Sequence, residues 1–483
     1  MDAVLDIDSQ AQGPLFLRIA HAVAQDVTRG RLRPGARLPG SRSLARSLGV
    51  HRNTVVAAYA ELAAEGWVEA RAGGGTFVSR ELPEPRPRPF ARRAGPRAGV
   101  PAALGFDLAA APAPDVEAPP PGALALWGGV PDLRLVPHAA LARAYRRAMR
   151  RAGPRLLGYS DARGQPELRA AIAARVSGQR GIAAGPEAVI VTRGSQMAID
   201  LAARALVSPG QAVAIEELGY RPAWGALERA GAELVPVRVD RGGLDTGELA
   251  RLCQRRPLRA VYVTPHHHYP TTVAMAPPRR LELLELAARH RFAVIEDDYD
   301  HEFHYDGRPI LPLASADTAG VVIYIGTLSK ILAPGLRLGF AVAPPALIER
   351  LAADRYLVDR QGDRVLEAAV AELMDDGELS QHVRRMRTLY RERRDALVAS
   401  LRARLGRRIE IDVPRGGMAL WARARGVDVA AWKRRSLERG VAFLVARDFS
   451  YRGRAGPHLR LGFAGLDPAE LDEAVRRMAA ALP

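Results

Sequence analysis

The chain is 483 residues long, 48% apolar and 25% charged, with a formal net charge of +17. That length accommodates two or three globular domains, and the positive excess points to an acidic partner, nucleic acid first. Cys253 is the one cysteine, which excludes an internal disulfide and a cysteine-rich metal site; no apolar run approaches a membrane span and the acidic start Met1 to Asp8 is no signal peptide, so a cytoplasmic protein is expected.

Residues 10–80 carry three helical patterns, Leu15 to Thr28, Ser43 to Leu48 and Thr54 to Glu65. A strand-like Trp67 to Ala70, the glycines Gly73-Gly74-Gly75 and Thr76 to Val78 close the segment. Ser43 to Leu48, Gly49 as a turn, and a polar N-cap opening the next helix predict a helix-turn-helix. The second helix then presents His51, Arg52, Asn53 and Thr54 to a major groove, while Arg42 reaches a phosphate and the glycine hairpin forms a wing. Ten arginines against four acidic residues over 13–80 support a phosphate partner; the alternative is a small docking domain with a solvated basic face. The runs Arg37-Leu38-Pro39-Gly40-Ser41-Arg42, Gly49 to Val55 and Leu62 to Val68 resemble the GntR family of winged helices. That resemblance implies double-stranded DNA as partner, contacted by Arg42, His51, Arg52, Asn53 and Thr54, with Gly74 and Gly75 in the wing.

Residues 81–125 hold 11 of the 36 prolines and read as an extended, semi-rigid linker. From 126 to 483, short apolar runs alternate with amphipathic helices: Val189 to Val191, Ala212 to Ile215, Ala260 to Val263, Ala293 to Ile295 and Val321 to Ile325. This alternation predicts an α/β body around a mostly parallel sheet buried on both faces. Ligands of such folds gather at the carboxyl ends of the strands.

Lysine occurs twice among 70 basic residues, at Lys330 and Lys433. Arginine replaces lysine in charge and hydrogen bonding but cannot deprotonate near neutral pH or condense with an aldehyde. Lys330, in Thr327-Leu328-Ser329-Lys330 behind an apolar strand, is therefore the candidate reactive amine; Lys433, among Trp432, Arg434 and Arg435, reads as a surface residue. Gly194, Ser195 and Gln196 open a helix and offer backbone N–H groups to a phosphate. The cluster Glu296-Asp297-Asp298-Tyr299-Asp300 reads alone as a metal site or solvated turn. Beside Lys330 it gains another sense. An aldehyde cofactor needs an amine, a carboxylate for its pyridine nitrogen, a donor to its phenolic oxygen and a cationic phosphate cup, which Lys330, Asp297, Tyr299 and Arg337 with Thr327 supply.

Gly158-Tyr159-Ser160-Asp161-Ala162-Arg163-Gly164, Thr192 to Gln196, Asp297-Asp298-Tyr299 and Thr327 to Arg337 together resemble the fold-type I, pyridoxal-phosphate-dependent aminotransferases, over residues 126 to 480. The resemblance implies a mostly parallel sheet with flanking helices and a small C-terminal α+β domain. It also implies pyridoxal 5'-phosphate joined to Lys330 as an aldimine, Asp297 on the pyridine nitrogen, Tyr299 on the phenolic oxygen, and Gly194, Ser195, Gln196, Thr327 and Arg337 on the phosphate. Tyr220 would stack on the ring, Tyr159 would reach the phosphate of the neighbouring subunit, and Arg460 in Leu459-Arg460-Leu461-Gly462-Phe463 would bind a carboxylate of the effector. One departure stands in Thr264-Pro265-His266-His267-His268-Tyr269-Pro270-Thr271-Thr272: Tyr269 and Thr272 replace the asparagine and glycine of the usual Asn-Pro-Thr-Gly. The three histidines are not expected to hold a metal, because neighbouring strand residues point to opposite faces.

A winged helix joined by a long linker to an aminotransferase-like body resembles the MocR subfamily of GntR regulators. It implies a transcription regulator that senses an amino compound, or the cofactor itself, and a head-to-tail, domain-swapped homodimer. The alternative is a true aminotransferase with an N-terminal regulatory domain.

Overall fold

In the computed structural model, residues 13–71, 74–83, 105–108, 119–307 and 310–483 are described. Gly73 and most of the proline-rich span fall outside them. The chain divides into two compact units, 1–111 and 112–483.

The first unit contains α1 (Leu15–Thr28), α2 (Ser41–Leu48), α3 (Arg52–Ala64), β1 (Val68–Arg71) and β2 (Gly75–Val78). Ile19, Val23, Leu44, Val55, Leu62 and Val78 form its core. Gly49 ends α2 in the left-handed region at φ 65°, a conformation that glycine adopts without the penalty a Cβ brings. Both helices start two residues before the sequence pattern indicates. His51 is the N-cap of α3, its ring accepting the Asn53 N–H at 3.2 Å. β1 and β2 pair antiparallel with Arg71 opposite Gly75.

In the second unit, β3 (Leu124–Ala125) lies inside the span read as linker. Two apolar residues behind a proline run were too short a signal for a strand. Helices α4 (His138–Leu156) and α5 (Pro166–Arg180) lead to β4 (Val189–Thr192), α6 (Ser195–Leu206), β5 (Ala212–Glu216) and β6 (Glu233–Val237). A short ribbon, β7 (Val239–Asp240) with β8 (Gly243–Leu244), precedes β9 (Leu258–Val263), β10 (Ala293–Asp298), β11 (Val322–Thr327) and β12 (Gly339–Val342). The main sheet runs β4-β12-β11-β10-β9-β5-β6. All neighbours in it are parallel except β12, which is antiparallel to both β11 and β4. Every residue of β4, β5 and β11 is buried, as a sheet covered on both faces requires.

A C-terminal layer follows the helix Glu378–Leu405. Here β13 (Ile409–Ile411), β14 (Ala419–Ala424), β16 (Leu444–Val445) and β17 (His458–Gly462) form an antiparallel sheet, while β15 (Val441–Ala442) pairs parallel with β3. Tyr390, Leu397, Trp432, Leu461, Phe463 and Met478 pack its interior. The sheet carries Arg460, and Gly194, Tyr220, Asp297 and Lys330 lie at or just after the carboxyl ends of β4, β5, β10 and β11.

Candidate functional site

Asp297 is the penultimate residue of β10, and parallel pairing sets it opposite Ile325 of β11. Its Oδ2 accepts the Tyr262 hydroxyl at 2.7 Å, whereas Oδ1 is buried without a hydrogen-bond partner among the described residues. Burial pushes this carboxyl up to about 6, against the bond from Tyr262 and the pull of Lys330. The acidic cluster is no solvated turn: Glu296, Asp297, Asp298 and Asp300 are all buried.

Lys330 follows β11 and is half-buried. Desolvation lowers its pKa, opposed by Asp297 and Asp300. A methyl built on Gly129 would sit 3.7 Å from its Nζ, so the loop before α4 closes over the amine. Lys433 is half-buried too, but it stands apart from this group, paired with Asp448 at 2.6 Å.

The phosphate candidates converge at the start of α6. Gly194 is its N-cap at φ 77°, leaving the first N–H groups of the helix without partners inside it. Arg337 holds its guanidinium against Gly194 and donates to the Arg193 carbonyl at 2.9 Å. A Cβ on Gly339 would fall 2.7 Å from the Ser195 nitrogen, so only glycine lets β12 pass beneath this turn. Two side chains are already engaged: Gln196 donates to the Pro222 carbonyl at 2.8 Å, and Thr327 accepts the Ser329 N–H at 3.1 Å. A cleft of about 450 Å³ lies to one side of the turn, lined by Thr192, Arg193 and Arg337 together with Tyr145, Arg355 and Glu367, and not by Ser195, Lys330 or Asp297.

Tyr299 donates to the His267 carbonyl at 3.0 Å. Tyr269 stands among the rings of Tyr220, Tyr299 and Phe449, all edge-on at 5.4–6.0 Å. Arg460 is 1% exposed and lies over the Tyr269 ring at 4.6 Å. It donates to the Pro270 carbonyl and, at 3.4 Å, to Tyr299, and its Nε is buried without a partner among the described residues. The tyrosine in the asparagine's place therefore closes an aromatic cage under the arginine. Tyr159 is 78% exposed, with the Arg360 guanidinium over its ring at 4.0 Å, on the surface rather than in this group.

Two residues escaped the sequence reading. Tyr262 looked like strand core, although a phenol in a Val-Tyr-Val run must find a partner for its hydroxyl when buried. Ser329 holds a buried Oγ without a partner among the described residues, next to Lys330. His266 and His267 do not sit on a strand and do not alternate between faces. β9 stops at Val263, and beyond it the chain bends, so the rings of His266 and His267 meet edge-on at 4.4 Å rather than pointing apart.

In the first unit Arg42, His51, Arg52 and Asn53 are exposed and Thr54 is half-buried. Arg52 reaches back to Ser41 at 3.4 Å. Gly75 sits at φ 101° in the hairpin beside Gly74, and a Cβ there would press on Arg37 at 3.3 Å.

The site fits pyridoxal phosphate. Asp297 keeps an acceptor without a partner among the described residues, Lys330 supplies an amine, and the α6 turn is an anion cradle that admits no side chain at 339. Residues 128–478 match the family described as aminotransferase class I and II, and residues 15–78 match the bacterial regulatory proteins of the gntR family. The probable rhizopine catabolism regulatory protein MocR of Rhizobium meliloti is 36% identical over 99% of this chain and 96% of its own length. The HTH-type transcriptional regulator TauR of Rhodobacter capsulatus is 35% identical over 98% of this chain and 97% of its own. The crystal structure of the α-aminoadipate aminotransferase LysN of Thermus thermophilus, complexed with N-(5'-phosphopyridoxyl)-L-leucine, superposes with a TM-score of 0.69 at 32% identity, over 75% of this chain and 92% of that one. With both domains in one polypeptide, and full-length similarity to regulators, the chain belongs to the MocR-like transcription regulators of the GntR family, with pyridoxal phosphate as cofactor.

Proposed function

We propose that this regulator reads an amino compound in the site around Lys330 and transmits its presence to the winged helix. The observation that carries the reading is the group of Lys330, Asp297, Tyr299 and the α6 cradle in one chain with an exposed recognition helix. When bound, pyridoxal phosphate supplies an aldehyde that condenses with primary amines. Lys330 provides the resident amine, and its lowered pKa keeps more of it neutral and nucleophilic. Asp297 Oδ1 offers a carboxylate to the pyridine nitrogen. A positive charge there would restore the ionisation that burial opposes. Gly194, Ser195 and Gln196 would hold the phosphate through backbone N–H groups, with Arg337 beside them. Tyr299 would turn its proton from the His267 carbonyl to the phenolic oxygen, since a charged acceptor makes the stronger bond.

Arg460 is the group for an effector carboxylate. Its Nε is free of hydrogen-bond partners among the described residues, and its place over Tyr269 would let an incoming anion displace contacts to Pro270 and Tyr299. Tyr220 would stack on the cofactor ring. In a homodimer of head-to-tail design, Tyr159 would serve the partner's phosphate, and its exposure suits that use. Arg42, His51, Arg52, Asn53 and Thr54 would meet the operator, with Gly74 and Gly75 at its edge.

Transamination is the competing reading. The test is spectroscopic and kinetic: purified protein should absorb in the band of a lysine-bound cofactor, and Lys330→Ala should lose it. An unchanged band in that variant rejects the assignment. Multiple-turnover formation of keto acid from an amino donor would place the chain among the enzymes.

A further inference from the structure

Behind the cofactor site, His266, His267 and His304 each bring one ring nitrogen to within 4.8 Å of the other two. Two come from the bend after β9 and the third from the loop after β10. His266 is 3% exposed, and neither of its ring nitrogens has a hydrogen-bond partner among the described residues; nor does His304 Nε2. An imidazole N–H buried without a partner costs about 1–3 kcal/mol, and native proteins generally meet such groups with an ion or an ordered water. His267 is anchored at Nδ1, which stands 2.8 Å from Asp300 Oδ1. That is how a carboxylate fixes a metal-binding imidazole. A Cβ at Gly416 would lie 2.5 Å from His267 Nε2, so glycine at 416 keeps that nitrogen clear.

We infer that His266, His267 and His304 form a binding site for a divalent transition-metal ion of the zinc class, with three imidazole ligands and one position open. Imidazole selects zinc, cobalt, nickel or copper over magnesium and calcium. Zinc holds imidazole nitrogen at about 2.0–2.1 Å, so tetrahedral partners stand about 3.4 Å apart and the present spacing closes with shifts of about an ångström or less. His266 also belongs to a second trio with Asp298 and His301, in which Asp298 Oδ2 lies 2.8 Å from His301 Nδ1 and accepts the Tyr324 hydroxyl at 2.7 Å. An ion among the three histidines would tie the segment bearing Tyr269 to the one bearing Asp297 and Tyr299.

The test uses tag-free, full-length protein carrying its cofactor, stripped with chelator, exposed to Co2+ and desalted. Expected are about one cobalt per chain, visible ligand-field bands, and displacement by Zn2+. His304→Ala, at a half-buried position, and Asp300→Asn should each weaken binding at least ~10-fold, with retained cofactor absorbance reporting an intact fold. His290→Ala, exposed at the end of helix Pro277–His290, should change nothing. No retained cobalt, or cobalt held undiminished by both ligand-site variants, overturns the assignment.

Discussion

Asp297 owes its usefulness to what it lacks. One oxygen takes the Tyr262 hydroxyl and the other takes none among the described residues, so the carboxyl sits at about 6, within reach of both charge states. Tyr262→Phe removes the one donor and should raise that pKa further. A hydrogen bond to a charged group contributes about 1.5–3 kcal/mol, so cofactor affinity should fall at least ~10-fold, read by titrating the absorbance of the bound form; an unchanged Kd would assign Tyr262 to packing alone. Glu216 gives a second test at this scale. It accepts both the N–H and hydroxyl of Thr264, yet burial pushes it up to about 8. A carboxyl whose pKa is raised on folding favours the folded state below its ordinary pKa of 4.5 and loses that contribution as pH rises through 8. Glu216→Gln keeps the acceptor and carries no charge. It should therefore stabilise the cofactor-free protein at pH 8 by a few kcal/mol, since each tenfold difference in proton affinity between folded and unfolded chains is worth about 1.4 kcal/mol. It should do little near pH 4.5, as urea unfolding would show; equal effects at both pH values would contradict a raised Glu216.

At the scale of elements, α3 depends on an unusual cap. His51 spends Nδ1 on the Asn53 N–H, and its other nitrogen takes no part in the cap. His51→Ala should cost about 1 kcal/mol in stability of the first unit, and His51→Ser, a good cap, should recover most of it. Both should weaken operator binding, so thermal melts and binding assays separate cap from contact. Much of this architecture is legible from residue patterns. Val189 to Val191 and the other apolar runs announce the parallel strands because burial on both faces demands unbroken hydrophobicity. Helix starts are less clear: α2 opens at Ser41 and α3 is capped by His51, both ahead of the first apolar residue, and a side-chain capping bond marks the boundary only in α3. β6 hides behind Pro236, tolerated because β6 is an edge strand. β12 hides because a glycine opens it and its direction reverses. Lys330, Asp297 and Arg337 were legible through chemistry, whereas Tyr262 and the histidine bend needed the third dimension.

For the whole molecule, the question is how occupancy of one unit reaches the other. A ligand biases a regulator only by binding its two states differently, and coupling between sites is typically 1–3 kcal/mol, roughly a 5- to 150-fold change in affinity. Asn53→Ala should weaken the operator complex by about 1–3 kcal/mol if it reads a base edge, and Arg42→Ala should lower the salt dependence of binding if it meets a phosphate. The central claim is the coupling itself. The decisive measurement is operator affinity of the full-length, cofactor-loaded protein, followed by fluorescence anisotropy while amines are screened for a shift in cofactor absorbance. An amine that shifts the absorbance should change operator affinity at least ~5-fold in the wild type and not in Lys330→Ala. Amines that react at the site and are turned over to keto acids, with operator affinity unchanged, would contradict it.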